Sequence, residues 1–330
     1  MEDSRDTSVE GNYPHLDAKD TDRQLPRYFS NNFTRYSDFS PFAKGGSAEL
    51  RTCRDNNLGR MVMMKTIHPH LAHQEYPRAR FLREARVTAQ LQHPNTIPVY
   101  EIGQDIEGRL YFTMKKVNGE TLHEIIERQI AGDQQAIHTY NLDRMLGLLI
   151  QVCNALSYAH AHRVVHRDVK PENVLIGSYG QVFLLDWGVA KVWAASEEEL
   201  EMAIMEHEEL TDIGQRPGTP LYMSPEQVRG GGEIDARTDV YSIGVVLYEI
   251  LTLKVPLRGR RVNETFDLIV NEMPIPPRQR TPERKIPPTL HQICMKALSK
   301  DPQDRYQTMQ ELIDALREFR GKALQSTTNI

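Results

Sequence analysis

The stretch His166–Asn173 reads H-R-D-V-K-P-E-N, and thirteen residues after its asparagine comes Asp186-Trp187-Gly188. Two carboxylates, Asp168 and Asp186, and the amide of Asn173 at this spacing suit magnesium-assisted phosphoryl transfer. Between the motifs lie Val174, Leu175 and Ile176, a turn-forming tetrapeptide from Gly177 to Gly180, and Val182 to Leu185. Together these predict a β-hairpin, which brings Asn173 and Asp186 near each other. Magnesium takes hard oxygen ligands and keeps several waters, so an amide oxygen and a carboxylate suffice where phosphate oxygens complete its shell. Asp168 then faces the acceptor hydroxyl as the base. A histidine and an aspartate in a loop can be no more than a satisfied pair. Here both halves occur in order with the hairpin between them, and that context is what turns a motif into a hypothesis.

At these residues the chain resembles the eukaryotic-like protein kinase family, over about Phe39 to Phe319. The family's signature set is a glycine-rich loop, a strand lysine, a helix glutamate, H-R-D-x-x-x-x-N, D-F-G and A-P-E. Lys170 after the H-R-D, and Gly218-Thr219-Pro220 before Ser224-Pro225-Glu226, look like the serine/threonine branch. The Y-M-S-P-E-Q wording from Tyr222 to Gln227 looks most like bacterial members. The resemblance implies that Asp168 accepts the hydroxyl proton, that Lys170 lies near the transferred phosphate, and that Thr219 helps position that pair. Asn173 and Asp186 hold Mg2+, and Leu175 with Leu50 sandwiches the adenine of ATP.

In Pro41 to Arg54, P-F-A-K-G-G-S-A-E-L-R-T-C-R, Gly45 stands at the central glycine of the family's phosphate loop, while Ala43 and Ala48 replace the flanking ones. Gly45 and Gly46 remain to allow close backbone approach. A Gly-Gly alone reads as a hairpin turn; its place ahead of Lys65 makes it a phosphate-loop candidate. Arg60 to Ile67 predicts a strand carrying Lys65. Pro77 starts a predicted helix with Phe81, Leu82, Ala85 and Leu91 on one face, ending before His93-Pro94, and Glu84 lies on it nineteen residues after Lys65. By resemblance, Lys65 neutralises α- and β-phosphate oxygens and Glu84 holds the lysine in place. Met63 stands where the family has a small alanine above the adenine. Thr96 to Tyr100 and Leu110 to Met114 predict two more strands, and Met114, Lys115 and Val117 then match the back of the adenine pocket and the hinge.

Bulk properties agree with a soluble globular chain: 330 residues, 39% apolar and 26% charged, enough for one large or two modest domains. A formal charge of −5 gives no general attraction to nucleic acid. No stretch supplies the run of about 18 apolar residues that a membrane span needs. Cys53, Cys153 and Cys294 are far apart and lack metal spacing, which suits a reducing compartment and a cytoplasmic location. The start, M-E-D-S-R-D, has no apolar region of a secretory signal. The chain ends at Ile330 after a short polar tail, so the expectation is either a soluble protein or a piece of a longer one.

These readings predict an α+β, bilobal kinase-like fold. Residues 1–26 form an acidic, disordered tail, 27–117 a β-rich small lobe with an N-terminal extension, 118–320 a larger helical lobe, and 321–330 a polar tail. Asn141 caps a helix with Leu142, Met145, Leu146, Leu149, Cys153 and Leu156 on its core face. Asp239 to Leu251 is apolar nearly all round, so it should run buried through the domain centre. By resemblance Asp239 anchors the catalytic loop and Glu226 pairs with Arg305. The expected activity is transfer of the ATP γ-phosphoryl group to serine and threonine hydroxyls of protein substrates, the chain itself included. The alternative is a binding-only pseudokinase, motivated by Ala43, Ala48, Met63 and Trp187. Arg167 and Thr211 are the regulatory candidates: a phosphate on Thr211 adds charge that can order a loop against an arginine. Ser196 to Leu210, S-E-E-E-L-E-M-A-I-M-E-H-E-E-L, predicts a short acidic helix that is either a solvated insertion or a segment that attracts basic substrates or, when unoccupied, covers the cleft.

Overall fold

The computed structural model describes residues 32–188, 191–192, 220–230 and 234–328. A five-stranded antiparallel sheet comes first, built from β1 (Tyr36–Lys44), β2 (Ala48–Asp55), β3 (Arg60–Ile67), β4 (Val99–Gln104) and β5 (Leu110–Lys115) in the order β1-β2-β3-β5-β4. Helix α1 (Glu75–Gln90) crosses between β3 and β4. Side chains alternate across a strand, and β3 shows it: Val62 and Met64 join Tyr36, Cys53 and Tyr111 in a cluster on one face, while Ile67 joins Ala48, Leu110, Phe112 and the α1 residues Phe81 and Ala85 on the other. Met63 and Lys65 share the α1 face by the same alternation.

Two boundaries differ from the sequence reading. Helix α1 begins at Glu75, so Pro77 falls inside the first turn, where its missing N–H leaves no bond unmade. Strand β4 begins only at Val99, after Pro98. Thr96 instead forms a lone bridge to Leu184, and its hydroxyl donates to the His93 carbonyl at 2.9 Å.

The second lobe opens with β6 (Gly119–Thr121) and three helices, α2 (Leu122–Ile130), α3 (Gln134–Thr139) and α4 (Leu142–Ala161). Asn141 accepts from the Arg144 amide and caps α4, whose Met145, Leu146, Leu149, Cys153 and Leu156 are all buried. Then come β7 (Val164–Val165), the hairpin β8 (Val174–Gly177) and β9 (Val182–Leu184), and β10 (Lys191–Val192), which pairs with β7. The remaining helices are α5 (Pro225–Arg229), α6 (Arg237–Thr252), α7 (Val262–Asn271), α8 (Pro277–Arg280), α9 (Pro288–Ala297) and α10 (Met309–Thr328). Every residue of α6 from Thr238 to Thr252 is buried. At Gly244 a β-carbon would come within 2.9 Å of the Ala297 methyl, so α6 and α9 approach as closely as they do because this position is bare. The fold is therefore α+β and bilobal, a sheet-rich lobe followed by a helical one. Among the described residues no helix is long and apolar enough to cross a membrane.

Candidate active site

The hairpin β8–β9 does what its sequence dictates. Val174 pairs with Leu184 and Ile176 with Val182, and the Leu185 amide donates to the Asn173 carbonyl at 2.8 Å. This sets Asn173 beside the segment that leads into Asp186. The Asn173 amide nitrogen donates to the Asp168 carbonyl at 2.8 Å and to its carboxylate Oδ2 at 3.2 Å. Those bonds point the Asn173 Oδ1 away from Asp168, free to meet a hard cation. Lys170 Nζ lies 2.7 Å from the same Asp168 Oδ2. Among the described residues, Oδ1 of Asp168 takes no hydrogen bond.

The backbone that carries Asp168 is tightly held. Asp239, at the start of α6 and fully buried, accepts the His166 amide and the Arg167 amide, each at 2.9 Å, and faces His160 Nε2 at 2.7 Å. Burial alone would raise this carboxyl, but His160 and the His166 amide outweigh it and hold it below the usual carboxylate range. His166 Nε2 lies 3.0 Å from the Leu185 carbonyl, and its Nδ1 lies 3.2 Å from the Asp168 amide. A carbonyl can only accept and an amide can only donate, so this pair fixes the neutral Nε2–H tautomer. Arg167 (φ 68°) and Asp186 (φ 60°) both adopt the left-handed conformation, which residues with side chains keep only where surrounding contacts impose it. Trp187, in the family's phenylalanine position, is fully buried with its ring edge-on to His166 at 4.5 Å.

Across the cleft, Lys65 Nζ on β3 lies 2.5 Å from Glu84 Oε1 on α1. Burial opposes the Lys65 charge, but Glu84 and Asp186 more than offset it, and the lysine is held firmly protonated. A β-carbon at Gly188 would lie 3.0 Å from Asp186 Oδ1, 3.5 Å from Glu84 Oε2 and 3.6 Å from Arg80 Nε. These three groups therefore converge on one point. Burial would raise the Asp186 carboxyl; Lys65, Arg80 and the Gly188 amide reverse this and hold it below its ordinary value. Among the described residues no three His, Cys, Asp or Glu side chains cluster as a metal site. The donor set that is present, an ionised Asp186 and the amide oxygen of Asn173, fits a cation whose other ligands are phosphate oxygens and water.

The remaining nucleotide-site candidates lie on β2, β3, β5 and β8, in the turn between β1 and β2, and in the segment after β5. Met63 is 6% exposed and pairs with Met114 across β3 and β5. Leu50 and Leu175 are half-buried. The Lys115 amide donates to the Pro98 carbonyl at 3.0 Å, so of its backbone groups only the carbonyl can face a base. Its ammonium lies over the Phe183 ring, 5.0 Å from the centroid. Val117 is half-buried two residues on. In the glycine turn the Gly45 amide donates to the Ala48 carbonyl at 2.9 Å, and a β-carbon at Gly45 would stand an ordinary 3.5 Å from that oxygen, while Gly46 is exposed. Thr219, Thr211 and the acidic stretch from Ser196 to Leu210 lie outside the described residues.

Sequence reasoning passed over several groups that meet here. Arg80 sits four residues before Glu84 on one face of α1, a spacing that could have shown it. Phe42, exposed on β1, lines a cavity of about 460 Å³ together with Leu50. His68 Nε2 lies 2.8 Å from the Gly45 carbonyl and pins the glycine turn. Tyr222 donates to buried Glu249 at 2.6 Å, and Gln227 donates to the Arg167 carbonyl at 2.8 Å. Both of those contacts join residues far apart in sequence, and no local pattern announces them. The Glu226–Arg305 pair expected by resemblance is present and bidentate, at 2.8 Å and 2.7 Å, with the guanidinium fully enclosed.

Residues 36–315 match the family model described as a protein kinase domain. This chain belongs to the protein kinase family. Among curated relatives of this kinase-family chain, "Serine/threonine-protein kinase PknD" of Protochlamydia amoebophila (strain UWE25) is 36% identical over 293 residues, covering 86% of this chain and 30% of the relative. The protein of that name from Chlamydia trachomatis serovar D is 35% identical over 299 residues, covering 86% and 31%. That from Chlamydia muridarum is 33% identical over 314 residues, covering 90% and 33%. This kinase-family chain thus spans about a third of the length of the curated relatives it matches, and those relatives are bacterial serine/threonine kinases.

Proposed function

We propose that this chain transfers the γ-phosphoryl group of ATP to serine and threonine hydroxyls of protein substrates. The observation that carries the reading is the state of Asp168: Lys170 and Asn173 both engage Oδ2, which leaves Oδ1 to accept the proton of an incoming hydroxyl. Lys170 offers its positive charge where the transferred phosphoryl group must pass. Lys65, held by Glu84, meets the α- and β-phosphates. Asn173 Oδ1 and Asp186 would hold magnesium, which when bound neutralises charge on the β- and γ-phosphate oxygens. Leu50, Met63, Met114 and Leu175 supply apolar surface for adenine, with the Lys115 carbonyl and Val117 backbone at its polar edge. Gly45 and Gly46 let the turn approach the phosphates.

Basic substrates suit the acidic cluster of Glu172, on the catalytic loop, with Glu249 and Glu127. Burial pushes the Glu249 carboxyl above its usual range, and Glu172 and Glu127 add to the effect against Tyr222 and His123. A cation from a bound peptide would relieve this crowding of negative charge. The test incubates the chain with magnesium, ATP and basic peptides that present Ser, Thr, Tyr or Ala at one acceptor position, and maps the phosphate by mass spectrometry. Phosphate on the Ser and Thr peptides alone is the expected result. ATP binding without transfer to any hydroxyl would replace the reading with a binding-only pseudokinase.

A further inference from the structure

We propose that Gln227 is a positioning residue of the catalytic loop, holding the peptide plane that carries Asp168 and so tying helix α5 to the base. The inference rests on the phosphoryl-transfer reading above and names a residue that reading leaves without a task. The peptide plane between Arg167 and Asp168 is gripped at both ends: its carbonyl accepts from Gln227 Nε2 at 2.8 Å, and its amide donates to His166 Nδ1 at 3.2 Å. The plane before it is gripped at the Arg167 amide by Asp239 Oδ1 at 2.9 Å. Between the two planes Arg167 holds its left-handed φ of 68°, a conformation retained only under such constraint.

The Gln227 side chain is oriented before it reaches the loop. It is 5% exposed, and its Oε1 accepts from the Ser224 amide at 3.0 Å and from the Ser224 hydroxyl at 3.2 Å. With the oxygen committed to Ser224, the NH2 group must face Arg167. The Ser224 half of this arrangement is an ordinary capping box at the start of α5, in which glutamate serves at the third helical position as well as glutamine. The Arg167 half is different, because it needs a donor that an ionised glutamate lacks. The two roles can therefore be separated by substitution.

The experiment measures kcat, KM for ATP and KM for peptide in the full chain and in Gln227→Glu, Gln227→Met and Ser224→Ala. At neutral pH both Gln227 variants should lose kcat by about 10- to 100-fold, the range for a reacting group displaced by up to about 1 Å, with KM for ATP unchanged. Ser224→Ala removes the hydroxyl's bonds to Gln227 and Thr238 but leaves the residue-224 amide on Gln227 Oε1, and should keep kcat. The Gln227→Glu variant retains the capping box, so it stands as the folded test should Gln227→Met fail to fold. Its kcat relative to wild type should climb as pH falls, because the protonated carboxyl regains a donor for the Arg167 carbonyl. The charged groups around that position are Arg167, Asp168 and His166 of the loop, Asp239 of α6, Glu226 of α5 and its partner Arg305, all shared with wild type and so divided out of the ratio. Wild-type kcat in Gln227→Glu at neutral pH, a ratio flat with pH, or an equal loss in Ser224→Ala would overturn the positioning role. Wild type and Asp168→Asn, run alongside, test the phosphoryl-transfer reading separately.

Discussion

The two charged centres of the cleft are held in opposite ways. Asp168 is carried on a loop whose backbone is fixed by Asp239, Gln227, His166 and the β8–β9 hairpin, mostly through buried hydrogen bonds to main-chain atoms. Among the described residues Lys65 is held at its charged end by one ion pair, to Glu84, contributed by a separate element, with Arg80 and Asp186 near by. A buried network is costly to break because each orphaned donor keeps its desolvation penalty. An ion pair at a cleft, with Arg80 beside Glu84 to share the charge, is cheap to lose. Removing the loop's carboxylate anchor should thus appear as lost stability as well as lost turnover, and removing the lysine as lost chemistry alone.

The sharpest way to break that contrast is Asp239→Ala. It orphans the His166 amide, the Arg167 amide and His160 Nε2 together, so the loss should exceed about 3 kcal/mol at about 1 kcal/mol or more for each buried donor. A urea midpoint close to wild type would show that the loop is not held from α6. Lys65→Met should do the reverse. Its turnover should fall by about 100- to 1,000-fold, as for removal of one transition-state donor. Its melting temperature should stay near wild type, since Arg80 remains beside Glu84 and Asp186. A collapse in stability without Lys65 would erase the distinction between the two centres.

Acid sharpens the same comparison with a smaller effect. Asp186, Asp239 and Glu226 all have folded-state values below their ordinary ones. For such groups the stabilisation is present above the unfolded value, about 3.9 for aspartate, and drains away as pH falls through the lower folded value. Denaturant midpoints should drop below about pH 5, with the loss starting near the unfolded carboxylate values and partly offset by Glu84 and Glu249, whose raised carboxyls work in the opposite direction. A midpoint that rises on acidification would mean these carboxylates are not stabilised by their partners.

Much of this was legible from residues close together in sequence. The hairpin from Val174 to Leu184, the strand bearing Lys65 and the largely apolar helix after Asp239 follow from local pattern, and the Lys65–Glu84 pair from the resemblance to the kinase family. What stayed hidden was contact between backbone and distant side chain. Gln227 meets a carbonyl 60 residues away, and a carbonyl leaves no mark in a sequence. The late start of β4 is a local matter that was misread: Pro94 and Pro98 remove two donors around Thr96, whose hydroxyl then bonds back to the chain rather than letting the strand begin.

The central claim is that Asp168, whose Oδ1 takes no hydrogen bond among the described residues, is the base for phosphoryl transfer. The most direct measurement is kcat of Asp168→Asn on a serine peptide, with nucleotide affinity determined calorimetrically on the same preparation. The account predicts turnover lower by about 100- to 10,000-fold, the span for losing a positioned general base, and an unchanged affinity for magnesium-ATP. Full turnover in Asp168→Asn would contradict it.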